Sequence, residues 1–277
     1  MLLLKKLLFS PIKVLFRNKI EKVLMRKQEQ LPKHLGVILD GNRRWAKSKR
    51  LNVSLGHEAG ATNVIKFLFW CEKFNIDTVT LWMLSTDNLG RKIEELMPLF
   101  DIIVRTVKKI SSNRAYDVKI IGALQQLPMQ IRDSLLEIEK ENTLNRTNLT
   151  AKKDVTDIAH DNNKKMKVNI AIAYDGRQEI VDAFKKYVQQ KENVAITQKK
   201  FMEEFDEQEF EKYLYLPFSP LDLIIRTSGE YRLSGFLLWQ SSKSELYFSQ
   251  KNWPDFNYDD FLIALYDFTK RQRRMGK

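Results

Sequence analysis

One pattern constrains this chain more than any other. Short apolar runs, each closed by a polar turn, alternate with longer amphipathic stretches. The runs are Leu35–Leu39, Thr78–Leu84, Asp117–Ile121, Lys167–Ala173, Leu221–Ile225 and Ser244–Phe248. Their length and β-branched content predict strands buried on both faces. Between them, apolar residues at helical spacing predict helices over Ala59–Phe74, Ile93–Ile110, Met129–Asn142, Gln178–Gln190 and Asp259–Arg274. Strands alternating with helices give an α/β fold. We expect a single domain built on a mostly parallel six-stranded sheet flanked by helices. The polar, Asn- and Lys-rich residues 142–166 read as a loop insertion, because the strand pattern resumes after them.

The first 30 residues stand apart as a basic amphipathic helical extension, leaving 31–277 for the α/β domain. MLLLKKLLFSPIKVLFRNKI interleaves apolar residues with Lys5, Lys6, Lys13, Arg17 and Lys19. No stretch reaches the roughly 20 apolar residues that span a bilayer. The lysines interrupt any signal-peptide core, and no small-residue cleavage site follows. Two readings remain: a helix packed on the protein body, or residues 1–25 in peripheral contact with an anionic membrane. A single cysteine, Cys71, excludes an internal disulfide framework and a cysteine zinc site, and fits a reducing, cytoplasmic setting.

The net charge of +12 asks for an anionic partner. Polar clusters follow four of the strands: Asp40-Gly41-Asn42-Arg43-Arg44, Ser85-Thr86-Asp87-Asn88, Tyr174-Asp175-Gly176-Arg177 and Arg226-Thr227-Ser228-Gly229-Glu230. In open α/β sheets ligands bind at such strand ends. Four clusters on one edge would converge Arg44, Arg91, Arg177, Arg226 and Arg232. Guanidinium forks match phosphate oxygens, so a ligand with more than one phosphate is expected. Asp40, Glu230 and Glu245 are candidates to hold Mg²⁺ against phosphate. The P-loop and dinucleotide glycine motifs are absent, and no nucleic-acid motif accompanies the basic charge.

The segment His34–Gly60 (HLGVILDGNRRWAKSKRLNVSLGHEAG) closely resembles the signature of the cis-prenyltransferases, the undecaprenyl diphosphate synthase-like isoprenyl transferases. Thr80–Glu95 and Asp222–Phe256 resemble its other two hallmark regions. The resemblance implies condensation of isopentenyl diphosphate with an allylic diphosphate to form a Z double bond, with Mg²⁺, by a homodimer. It implies Asp40 as the magnesium-linked catalytic aspartate and Glu245 as the second magnesium carboxylate. Gly41, Asn42, Arg43, Arg44 and Trp45 fall in the allylic-diphosphate segment, and His57 lies near that diphosphate. Ser85 and Asn88 lie near the reacting centre, with Asn88 counted as catalytic, and Arg91 and Glu95 follow on the same loop and helix, Arg91 as a substrate-binding residue. Arg226, Arg232 and Ser234 bind isopentenyl diphosphate. Arg274-Met275-Gly276 resembles the tail motif that reaches across the dimer.

Departures from the pattern bear on product length. Met83 stands where long-chain members have a small residue, Val53 where they have arginine, and Leu89 where tryptophan is common. With Leu84, these resemble short-chain members that make a Z,E-farnesyl-diphosphate-like product. The alternatives are a long-chain, undecaprenyl-type synthase and a non-catalytic accessory subunit. Retention of Asp40, Arg44, Arg226, Arg232 and Glu245 speaks against the accessory subunit.

Overall fold

The structure, a computed structural model, describes residues 11–151, 165–192 and 203–272. Six strands form one all-parallel sheet: β1 (His34–Ile38), β2 (Thr78–Trp82), β3 (Tyr116–Ile121), β4 (Met166–Ala171), β5 (Leu223–Arg226) and β6 (Glu245–Phe248). Their order is β3-β4-β2-β1-β5-β6. The helices are α1 (Pro11–Arg26), α2 (Asn42–Ser48), α3 (Val53–Lys73), α4 (Ile93–Ser111), α5 (Met129–Ala151), α6 (Gly176–Glu192), α7 (Glu207–Glu211) and α8 (Tyr258–Phe268). The expected fold class is the observed one, and every predicted strand is present within two residues of its expected bounds.

Period-two alternation divides the core. Leu35, Val37, Val79, Leu81, Val168, Ile170, Leu223 and Ile225 face the larger core with α3, α4, α5 and α8. Ile38, Trp82, Ala171 and Ile224 face a smaller one, closed by Phe236 and Leu237 from the segment after β5. Trp82 and Phe236 stack there with centroids 5.3 Å apart.

Three helices depart from expectation. α3 begins at Val53, six residues early, because the Asn52 side chain accepts from the Ser54 amide and caps it. α5 continues to Ala151, so the expected loop from 142 is helix over its first ten residues. Asn142 is the reason. It continues the inward face of Leu135 and Ile138, and its buried amide holds backbone outside its own helix. Its Oδ1 accepts from Val118 N, and its Nδ2 donates to the Ser111 carbonyl, both at 3.0 Å. Residues 152–164 of that insertion lie outside the described residues. α8 is shorter than expected and stops at Phe268. Its start is fixed by a reciprocal capping box between Asn257 and Asp260.

Of the two readings of the N-terminal extension, the described part packs on the body. Ile20 and Leu24, one turn apart, are buried in the main core. Arg17 pairs with Asp259 and Glu21 with Lys73. Residues 1–10 lie outside the described residues.

A buried polar line crosses three strands. The His34 ring donates from Nδ1 to the Pro220 carbonyl at 3.2 Å and accepts at Nε2 from the Thr80 hydroxyl at 2.7 Å. That hydroxyl in turn accepts from Asn169 Nδ2 at 3.0 Å. This arrangement needs a neutral imidazole, and burial lowers the His34 pKa to about 4. The unfolded chain takes up the proton near pH 6.5, whereas the folded chain resists until pH 4. Stability therefore falls as pH drops through this window, by about 2 kcal/mol at pH 5 from His34. Urea unfolding at pH 7 and pH 5, compared between the wild type and His34→Gln, isolates this share, and the variant should show a shallower pH dependence. Separately, Asn142→Ala leaves the Val118 amide unpaired and should cost about 1–3 kcal/mol in the same measurement.

Candidate active site

The C-terminal ends of β1, β2 and β5 open onto one cavity of about 530 Å³. Its first wall is the turn after β1. Gly41 has φ +104°, and a Cβ there would lie 2.4 Å from Asn252 Oδ1. Only glycine lets the chain turn this tightly into α2. The Asp40 backbone carbonyl is pinned by the Thr227 hydroxyl at 2.7 Å and the Trp253 amide at 2.9 Å. The turns after β1 and β5 are thus locked together before any side chain acts.

The side chains form a charge lattice around this junction. Asp40 faces Arg226 at 3.1 Å and Arg44 at 3.4 Å. Arg44 also reaches Glu230 at 3.0 Å and the Ser228 carbonyl. Arg226 is only 4% exposed and donates from Nη1 to Ser234 Oγ at 2.8 Å. Its Nε is buried with no partner. Across the cavity, Arg43 and Arg91 both lean on Glu95 at 3.3 Å. Burial is the main force lowering the Arg91 pKa, partly offset by the negative charge of Glu95.

His57, from α3, sits beneath Arg43 and Arg91. Burial, then the positive charge of Arg91, pulls its pKa down to about 4, so the ring is neutral at pH 7. Its Nε2 is buried without a partner, as is Asn42 Oδ1. Both residues also border a smaller chamber of about 50 Å³ with apolar walls that include Val64, Met83, Leu99, Ile102, Ile103 and Trp253. Met83 and Leu99 line both spaces, at the neck between them.

The segment after β5 turns back through left-handed backbone at Ser228, Gly229, Ser234, Gly235 and Leu237. At Gly235 a Cβ would lie 2.5 Å from Asp175 Oδ2, and its carbonyl accepts from the Gly176 amide at 2.8 Å. The turn after β4 thereby serves as a support for the segment bearing Arg232 and Ser234.

Asp40, Gly41, Asn42, Arg43, Arg44, His57, Met83, Leu84, Ser85, Asn88, Arg91, Arg226 and Ser234 all line the cavity. Glu230 and five further expected residues do not. Arg232 sits at the rim, tied to Glu230 and to Ser234 Oγ at 3.1 Å. Trp45 turns outward and donates to Asp255 at 2.8 Å. Leu89 packs against the main core. Arg177 is exposed on the supporting turn. Glu245 starts β6, level with Leu223, at the sheet edge opposite the cavity, where it pairs with Arg271 at 2.9 Å. Strand direction thus separates Glu245 from Asp40 within one chain. The tail motif Arg274-Met275-Gly276 lies outside the described residues. Lys47 and Leu99 line the cavity and were not singled out from the sequence. Lys47 stands one turn beyond Arg44 on α2, a spacing that could have found it.

The family model described as "Putative undecaprenyl diphosphate synthase" matches residues 38–276. The chain is 41% identical over 272 residues to "(2Z,6E)-farnesyl diphosphate synthase" of Thermobifida fusca, covering 98% of this chain and 99% of the relative. It is 41% identical over 249 residues to "Isoprenyl transferase 1" of Streptomyces avermitilis, covering 90% of each. Among solved structures, lavandulyl diphosphate synthase from Lavandula x intermedia, in complex with dimethylallyl diphosphate, superposes with a TM-score of 0.76. Identity there is 32%, over 90% of this chain and 100% of that one. With its parallel sheet, arginine-lined cavity and matched length, the chain belongs to the undecaprenyl diphosphate synthase family of prenyltransferases.

Proposed function

We propose that the chain is a Mg²⁺-dependent cis-prenyltransferase that joins isopentenyl diphosphate to an allylic diphosphate, making a short Z-isoprenyl diphosphate and releasing diphosphate. The working form is a homodimer in the cytoplasm, peripheral at a membrane. One observation carries the reading: a cavity walled by Arg43, Arg44, Arg91 and Arg226 adjoins, at Met83, a small chamber with mostly apolar walls. Charge at one end and apolar walls at the other match a prenyl diphosphate.

Asp40 fits a magnesium site. Its carboxylate faces the cavity and is steadied by two arginines at 3.1 and 3.4 Å. Magnesium is typically held by one or two carboxylates plus substrate phosphates. Among the described residues no cluster of three ligating side chains exists, so an ion at Asp40 would complete its shell with diphosphate oxygens and water. An ion held there would supply charge neutralisation for the leaving diphosphate.

The chain's own residues do the rest. Gly41 and Asn42 bring backbone to the allylic diphosphate, and Arg43 and Arg44 grip it. Neutral His57 approaches it without adding charge. Arg226 and Ser234 hold isopentenyl diphosphate, with Arg232 closing from the rim. Ser85 and Asn88, on the turn after β2, flank the reacting carbons between the two diphosphates. Guanidinium groups aimed at the departing diphosphate stabilise the charge as it develops.

The chamber supports a short product. Its space of about 50 Å³ is roughly a tenth of the main cavity's. A polyprenyl tail would have to displace Met83 and its neighbours, and Leu84 tightens the cavity floor beside it.

Purified chain, given isopentenyl diphosphate and a short allylic diphosphate, should turn over only with Mg²⁺. Asp40→Asn should lower kcat by about 10²–10³-fold or more, and should also lower the unfolding midpoint, because it removes the charge that meets buried Arg226. Full activity in EDTA would refute the magnesium role. Met83→Ala should lengthen the products, resolved by reversed-phase chromatography, by at least one isoprene unit. Unchanged length would remove Met83 as the limit.

A further inference from the structure

We infer that the outer face of α1 docks this enzyme on an anionic lipid bilayer. The helix has two faces with different duties. The inner face is spent on the protein, through buried Ile20 and Leu24 and the pairs Arg17–Asp259 and Glu21–Lys73. Among the described residues the outer face has no partner. Leu15, 68% exposed, heads that face, and Val14 and Phe16, 48% and 58% exposed, flank it on either side of the helix. Leu15, Lys19, Lys22 and Arg26 follow at helical spacing, so one stripe begins apolar and continues cationic. Lys19, Lys22 and Arg26 are exposed and make no ion pair among the described residues.

Charge selects the occupant. Residues 1–27 hold eight Lys and Arg against the single acid Glu21, more than half of the chain's net +12. An interfacial helix combines these features: apolar side chains enter the acyl boundary while flanking cations meet lipid phosphates. A second copy of the chain fits less well, because a two-fold contact would set the cationic stripe against itself. A nucleic acid would use the cations but leave Val14, Leu15 and Phe16 in water. No described helix is long and apolar enough to cross the membrane, so the contact is peripheral. Docking there would also place the enzyme where amphiphilic products partition; the surface itself stands whether or not the proposed reaction is correct.

Co-sedimentation with vesicles of phosphatidylcholine, with and without phosphatidylglycerol, tests this. Wild-type protein should sediment with the anionic vesicles at low salt and stay in solution with phosphatidylcholine alone. Lys19→Glu/Lys22→Glu should weaken partitioning more than about 25-fold, from about fivefold per cation near the surface. Leu15→Asp/Phe16→Asp should weaken it too. Neither variant touches Ile20, Leu24 or Arg17, so thermal unfolding and prenyl transfer to a soluble primer should match wild type. Three results would overturn the inference. The first is equal sedimentation with both vesicle types, or none with either. The second is loss of a dimer in the Asp variant with vesicle binding intact, which gives the face to a second copy. The third is binding of a DNA duplex at the same salt without vesicle binding.

Discussion

The contact between Asp40 and Arg226 is the one on which the rest of the site depends. It joins the ends of β1 and β5, adjacent strands whose turns also share the Thr227–Asp40 backbone bond. Arg226 is almost wholly buried, and a buried guanidinium is tolerated only where its charge is met. Asp40 meets it from one side, and Ser234 Oγ and the Arg232 carbonyl accept from another. One buried cation thus fixes the aspartate, the turn after β1 and the fold-back after β5. Its unpartnered Nε leaves donor capacity for a ligand.

This explains why the lattice is cationic without being self-destructive. Every arginine on the cavity wall has a carboxylate in reach, yet each carboxylate is shared. Glu95 serves Arg43 and Arg91, Glu230 serves Arg44 and Arg232, and Asp40 serves Arg44 and Arg226. Shared acids hold the guanidiniums in place and leave positive charge uncancelled. A polyanionic substrate entering such a site meets donors already oriented, so little reorganisation remains for the reaction. The same surplus of positive charge helps keep His57 neutral.

Much of this was legible in the sequence, because strand ends are legible. Apolar runs followed by Asp40-Gly41-Asn42, Ser85–Asn88 and Arg226–Glu230 place those residues on one edge of any parallel sheet. What the sequence pattern could not weigh was direction and partnership. Glu245 looks equivalent to Asp40 as an acid near a strand, but it begins β6 whereas Asp40 follows β1, so they lie at opposite edges. Arg177 follows β4 correctly, yet its turn is used to support Gly235 rather than to face the cavity. Asn142 reads as the start of a loop by composition, and becomes helix because its amide satisfies the backbone of β3 and α4. In each case a tertiary partner, invisible to local pattern, decided the outcome.

The remaining design problem is the boundary between charge and oil. A prenyl diphosphate needs guanidiniums at one end and a dry wall at the other, separated by little more than one residue's width. Asn42 and His57 occupy that boundary, lining both the cavity and the chamber. Each carries a buried polar atom without a partner, which is costly in an empty site and is relieved by a ligand that brings the missing group. A charged residue here would draw water toward the chamber, and an apolar one would retreat from the diphosphate. A neutral imidazole and an amide do neither. The low basicity of His57 is therefore a condition for the two halves of the site to coexist, set by the same burial and the same Arg91 charge that build the anion pocket.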